Sequence, residues 1–221
     1  MDCLEGQYLS EAARSIPRER LERILRNYLR KPTEDSDKKI VVESRKELIN
    51  MFCNYKSVES LDEIPNIRNM DVSKIISLNG VFSYMDNLSN ISPLFSWNVS
   101  KVIDMSSMFS RCVSLSNLSG ISFWNVSNVV NFGAMFCGCS SLSNLSEISY
   151  WNVSRGVRYD YMFDSCGKLS DISPLSYWDI SRGITFERMF CGTQANSSMI
   201  DWDMSCALTV ENMFGEIHEQ K

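Results

Sequence analysis

Apolar positions in this chain recur every 27 residues, a spacing that belongs to no single helix or strand. Trp97, Trp124, Trp151 and Trp178 stand one period apart, one period back falls on Met70, and Trp202 follows after 24 residues. Counted from this anchor, offset 12 is always Phe: Phe82, Phe109, Phe136, Phe163, Phe190 and Phe214. Offset 11 is Met in every copy but the first, which has Val81, and offset 18 is Leu88, Leu115, Leu142 and Leu169. Offset 3 is serine throughout, from Ser73 to Ser205. In the copy starting at Trp97 the apolar set is Trp97, Val99, Ile103, Met105, Met108, Phe109, Leu115, Leu118 and Ile121. Twenty-seven residues cannot enclose a core alone, but stacked copies can, each apolar offset becoming a column through the interior.

The pattern predicts local elements. Residues 105–112 read as one or two helical turns with Met105, Met108 and Phe109 on one side. Residues 115–118 have the spacing of a short strand, which Pro93 and Pro174, at the equivalent offset 23, would end for want of a backbone donor. The Asn/Asp-Val-Ser after each Trp suits a turn in which the short side chain bonds nearby backbone. A degenerate copy lies upstream: residues 51–64 match 135–148 without a gap, seven of fourteen being identical, and residues 40–42 would begin it. Ser44 and Glu47 form a candidate capping box. Before the array, residues 17–31 place Leu21, Ile24, Leu25, Tyr28 and Leu29 on one helical stripe, with Arg23, Arg26 and Arg30 opposite. That helix either caps the array or docks on a partner or an anionic membrane. The expected organisation is an N-terminal amphipathic helix and polar linker at 1–39, a repeat array of about seven units at 40–215 with irregular first and last copies, and a tail at 216–221.

The run Met-Phe-x-x-Cys-x-x-Leu followed by Trp-Asn/Asp-Val-Ser resembles the BspA-like leucine-rich surface-repeat family, over residues 40–215. The resemblance implies a leucine-rich-repeat-like solenoid of short strands and short helical turns (α+β), and a role in adhesion at bacterial surfaces. Similar repeats also occur in proteins of large DNA viruses and protists. This sequence departs in lacking a basic n-region and an apolar h-region at its start, so the expectation is an intracellular, cytoplasmic protein, with a virion as a further setting.

Composition narrows the chemistry. A net charge of −5 disfavours nucleic acid, which needs clustered Lys and Arg, and no apolar run is long enough to span a bilayer. Eight Asn-x-Ser tripeptides and eight cysteines then read as repeat residues and reduced thiols instead of glycan acceptors and disulfides. The one histidine, His218, sits near the terminus, carboxylates form no repeating pair, and the ten glycines make no phosphate-binding loop, so no catalysis and no cofactor are expected. Cys112, Cys139 and Cys166 share offset 15 with Met85 and Thr193, which points to a small packed position and no metal. Two surface rows remain. Offset 4 reads Lys74, Lys101, Asn128, Arg155 and Arg182, and the residues before Trp include Phe123, Tyr150 and Tyr177. Aligned like charges repel, so the first row suits either an acidic protein partner lying across it or screening by local Asp and Glu; the second suits an interface or packing between units. The leading expectation is a non-enzymatic protein-interaction scaffold. The alternatives are an assembly component that self-associates through its ends, and a membrane-peripheral adaptor.

Overall fold

The computed structural model of the chain describes residues 39–215. The predicted helix with Arg23, Arg26 and Arg30, most of the linker, and His218 lie outside the described residues. Strand β1 (Ile40–Val41) pairs in parallel with β2 (Met70–Asp71), Ile40 opposite Met70 and Val41 opposite Asp71. Between them runs α1 (Arg45–Phe52), capped by Ser44, whose Oγ accepts the Glu47 N–H at 3.3 Å. The Glu47 carboxylate accepts from Glu43 N–H instead of Ser44 N–H, so the predicted capping box closes one residue early. A complete box occurs at Ser60 and Glu63, opening the short 3-10 turn Leu61–Glu63.

Successive copies stack in register. Single-residue parallel bridges link Ser77, Asp104, Asn131, Arg158, Thr185 and Thr209, all at offset 7. Beside this column lies a ladder of turns where helical turns were predicted. In residues 105–112 the N–H groups of Met105, Ser107, Phe109 and Arg111 donate to Asn131, Gly133, Met135 and Cys137 of the next unit. The intervening Met108, Ser110 and Cys112 donate three residues back to Met105, Ser107 and Phe109. Past its first turn a helix would return its N–H groups to its own segment; here alternate ones join units, and the chain accommodates this with left-handed residues at offsets 10 and 14. Ser107 (φ 55°), Ala134 (54°), Tyr161 (58°) and Arg188 (54°) hold the first position, and Arg111 (60°) and Gly138 (74°) are among those at the second.

The predicted strand at 115–118 is likewise absent. Local bonds take its backbone instead: Leu115 N–H donates to Cys112, Ile121 N–H to Leu118, and Ser119 N–H to the Asn117 side chain. Pro93 and Pro174 therefore end no strand; they sit in the first turn of the 3-10 helices Ser92–Ser96 and Ser173–Tyr177, where a missing donor costs nothing. The Asn/Asp-Val-Ser segments do form the expected turns, with the offset-1 side chain accepting the serine N–H at Ser73, Ser100, Ser127, Ser154, Ser181 and Ser205.

The interior is built of columns. Phe52 of α1 stacks on Phe82, and the series continues through Phe109, Phe136, Phe163, Phe190 and Phe214 with centroid spacings of 5.1–5.7 Å. Each Trp is set by its indole N–H, which donates to a carbonyl 30 residues back, or 27 for Trp202: Ile67, Leu94, Ile121, Ile148 and Leu175 in turn. The thiols of Cys112, Cys139 and Cys166 donate to the carbonyls of Phe82, Phe109 and Phe136, each at 3.2 Å. Burial pushes the Cys112 thiol up to about 12 and raises those of Cys139 and Cys166 as well.

One end of the turn ladder is closed by side chains. The unit that begins at Met70 has no ladder segment before it, because α1 occupies that place. The Arg45 guanidinium donates to the Asn79 carbonyl and, at 2.8 Å, to its Oδ1, and Lys56 Nζ donates to the Ser83 carbonyl at 2.6 Å. Two cations thus stand where backbone N–H groups stand elsewhere.

Candidate interaction surface

In the basic row Lys74, Lys101, Arg155 and Arg182 are all exposed, and Asn128 is half-buried among them. Each follows the Asx turn, in a β-turn closed by the residue at offset 5, as in Val102 N–H to Val99 carbonyl. Lys74 pairs with Glu43 at 2.7 Å. Arg155 donates to Asn128 Oδ1, whose own amide donates to the Ser100 carbonyl, so two members of the row are linked across units. Among the described residues, Lys101 and Arg182 have no ion-pair partner.

The aromatic row divides. Tyr177 is 77% exposed and stacks on Tyr150 with centroids 6.4 Å apart, beside a shallow depression lined by Trp151, Asn152 and Asp179. Phe123 is half-buried and meets Phe95 edge-on at 5.6 Å, so it serves packing between units more than display.

One row was misassigned from sequence. Ile103, at offset 6, was expected in the core, yet it is 47% exposed and Ile76 is 59% exposed. The buried residue is its neighbour at offset 5: Ile75, Val102 and Val129 are in the core, followed by the glycines Gly156 and Gly183. Val130, Val157 and Ile184 at offset 6 are half-buried and Leu208 is exposed, completing an aliphatic row over six units. Val102 and Ile103 are both aliphatic, so hydrophobicity alone could not say which faces inward. The replacement of Val by Gly at offset 5 marks the inward position only once the Tyr159 and Phe186 rings beside it are placed.

Elsewhere, among the described residues, Thr185 Oγ1 is buried without a hydrogen-bond partner, while charged and phenolic groups pair with one another. Asp164 holds Arg188 at 3.1 Å, and the Tyr161 hydroxyl donates to Glu187, which pushes its pKa up to about 12. Among the described residues, no group of three or more His, Cys, Asp or Glu gathers to hold a metal ion. No helix there is long and apolar enough to cross a membrane.

Comparison with known proteins agrees with the periodicity. A family model described as Mycoplasma protein of unknown function, DUF285, matches residues 46–144 and again, overlapping, residues 115–221. No curated protein and no solved structure matches the chain. The shared region takes in the stacked units and both surface rows, and the chain belongs to this DUF285 family.

Proposed function

We propose that the chain is a non-enzymatic protein-interaction scaffold, a leucine-rich-repeat-like solenoid whose stacked units present a repeated surface to a protein partner. The observation that carries this reading is the basic row: four cations at one offset of five successive units, all exposed, on a chain of net charge −5. Holding like charges in line costs stability, and an acidic partner lying across the row would offset that cost. The stacked Tyr150 and Tyr177 supply a second contact of the kind enriched at interfaces. The resemblance to BspA-like surface repeats, including those of large DNA viruses, supports a binding role and is silent on the partner. A cytoplasmic setting agrees with eight cysteines of which several are buried and unpaired. The seal of Arg45 and Lys56 over the first carbonyls weighs against self-association by stacking on that end.

The test is capture from extracts of the source cell with the full chain and with a quadruple variant, Lys74→Glu, Lys101→Glu, Arg155→Glu and Arg182→Glu. A partner retained by the natural chain and lost from the folded variant supports the reading. Equal retention by both overturns it.

A further inference from the structure

The aliphatic row at offset 6 runs beside the basic row at offset 4, with one buried residue between them in each unit: Lys101, Val102, Ile103 is the pattern. Ile76 and Ile103 are 59% and 47% exposed, Val130, Val157 and Ile184 are half-buried, and Leu208, beyond the last cation, is 80% exposed, so the aliphatic row keeps part of its surface in solvent, most at its ends, where burial would stabilise it. Their backbones are fixed. Ile103 N–H donates to Ile76 carbonyl, Val130 to Ile103, Val157 to Val130, Ile184 to Val157 and Leu208 to Ile184. The two rows therefore form one rigid strip, cationic along one edge and aliphatic along the other.

Spacing selects the shape that fits. Backbones paired side by side lie about 4.8 Å apart, so Lys74 to Arg182, four steps, spans about 19 Å. An extended partner laid along the strip would present a same-face side chain only about every 6.7 Å and would miss units. A helix advances about 4.5 or 6 Å over three or four residues, one side chain per unit, and covers the span in about 13 residues. We propose that the strip docks an α-helical segment of a protein partner, acidic along one edge and aliphatic beside it, lying along the stack. This rests on the interaction-scaffold reading and names the chemistry of the partner.

The test uses the full chain and two labelled synthetic 18-residue peptides in fluorescence anisotropy at low ionic strength. One carries Glu at intervals of three and four residues with Leu on the adjoining stripe. The other has the same composition shuffled around the helix. The ordered peptide binds at least about tenfold more tightly than the shuffled one. Lys101→Glu, Arg155→Glu and Arg182→Glu together weaken it about tenfold or more, and Ile76→Thr with Ile103→Thr weakens it at least about threefold while circular dichroism and Tm stay unchanged. Equal binding of both peptides, or indifference to the Ile→Thr pair, overturns the proposal. If a cellular partner is still lost on charge reversal, only the helical strip fails; if that partner is also unaffected, the scaffold reading falls with it.

Discussion

Offset 5 holds Ile75, Val102 and Val129 in three units and Gly156 and Gly183 in the next two; three places on stand Phe132 in the last valine unit and Tyr159 and Phe186 in the glycine units. Tyr159 and Phe186 turn their rings into the space a side chain would fill: a Cβ on Gly156 would lie 2.0 Å from the Tyr159 hydroxyl, and one on Gly183 2.2 Å from the Phe186 ring. The Tyr159 hydroxyl uses that position to donate to the Val153 carbonyl at 3.0 Å. Gly156→Val alone should cost about 3 kcal/mol or more by overpacking. Adding Tyr159→Met, which copies the Val102–Met105 pairing, should recover most of it, a coupling of about 2 kcal/mol measurable by urea denaturation. At offset 10 the opposite change helps: Ala134 sits at φ 54°, so Ala134→Gly should raise stability by about 1 kcal/mol. Among the described thiols, Cys53 and Cys206 are exposed and Cys112, Cys139, Cys166 and Cys191 buried, so a thiol reagent should label the first two rapidly and the last four only on unfolding. The Trp, Phe and Leu columns were legible in the sequence because each is apolar in nearly every unit. The glycine exchange was present too, but its meaning needed the ring positions.

At the scale of elements, the turns after Trp were readable because Asn or Asp two residues before a serine carries its own mechanism. The ladder segment was not, because 105–112 has helical spacing of its apolar residues whether its N–H groups bond within the segment or to the next unit. The capping of that ladder gives a test: Arg45→Ala leaves the Asn79 carbonyl without its guanidinium donor and should cost about 1–2 kcal/mol, with the loss seen as a lower urea midpoint. At the β1–β2 pair, Lys39 lies 2.7 Å from Asp71, and that side-chain contact, with help from Ser73, holds the Asp71 carboxyl at about 2, below its ordinary 3.8. A depressed carboxylate stabilises the fold above its unfolded pKa and loses that contribution as pH falls through the folded one. The stability difference between the natural chain and Asp71→Asn should therefore shrink between about pH 4 and pH 2; a difference constant over that window would show the contact to be inert.

On the scale of the whole molecule, each unit touches its neighbours through the same columns, so the number of units should be adjustable. Deleting residues 125–151 joins matching offsets and should leave a folded, cooperative chain with a lower Tm, whereas a deletion of half a period should not fold. The period and the basic row were visible in the sequence at this scale, because charge at a fixed offset has no packing role to confuse it. The solvent-facing aliphatic row was hidden by having a buried aliphatic neighbour in the first three units. The ladder bonds have one further consequence. From Leu78 to Gly192 their N–H groups all point toward the C-terminal units and their carbonyls toward the N-terminal ones, four bonds at each of five junctions. Aligned peptide dipoles add, so this face of the stack carries a field along its length with the negative pole at Asn79 and Ser83. Arg45 and Lys56 stand at that pole, and a carboxylate placed there, as in Lys56→Glu, would meet repulsion as well as a lost hydrogen bond.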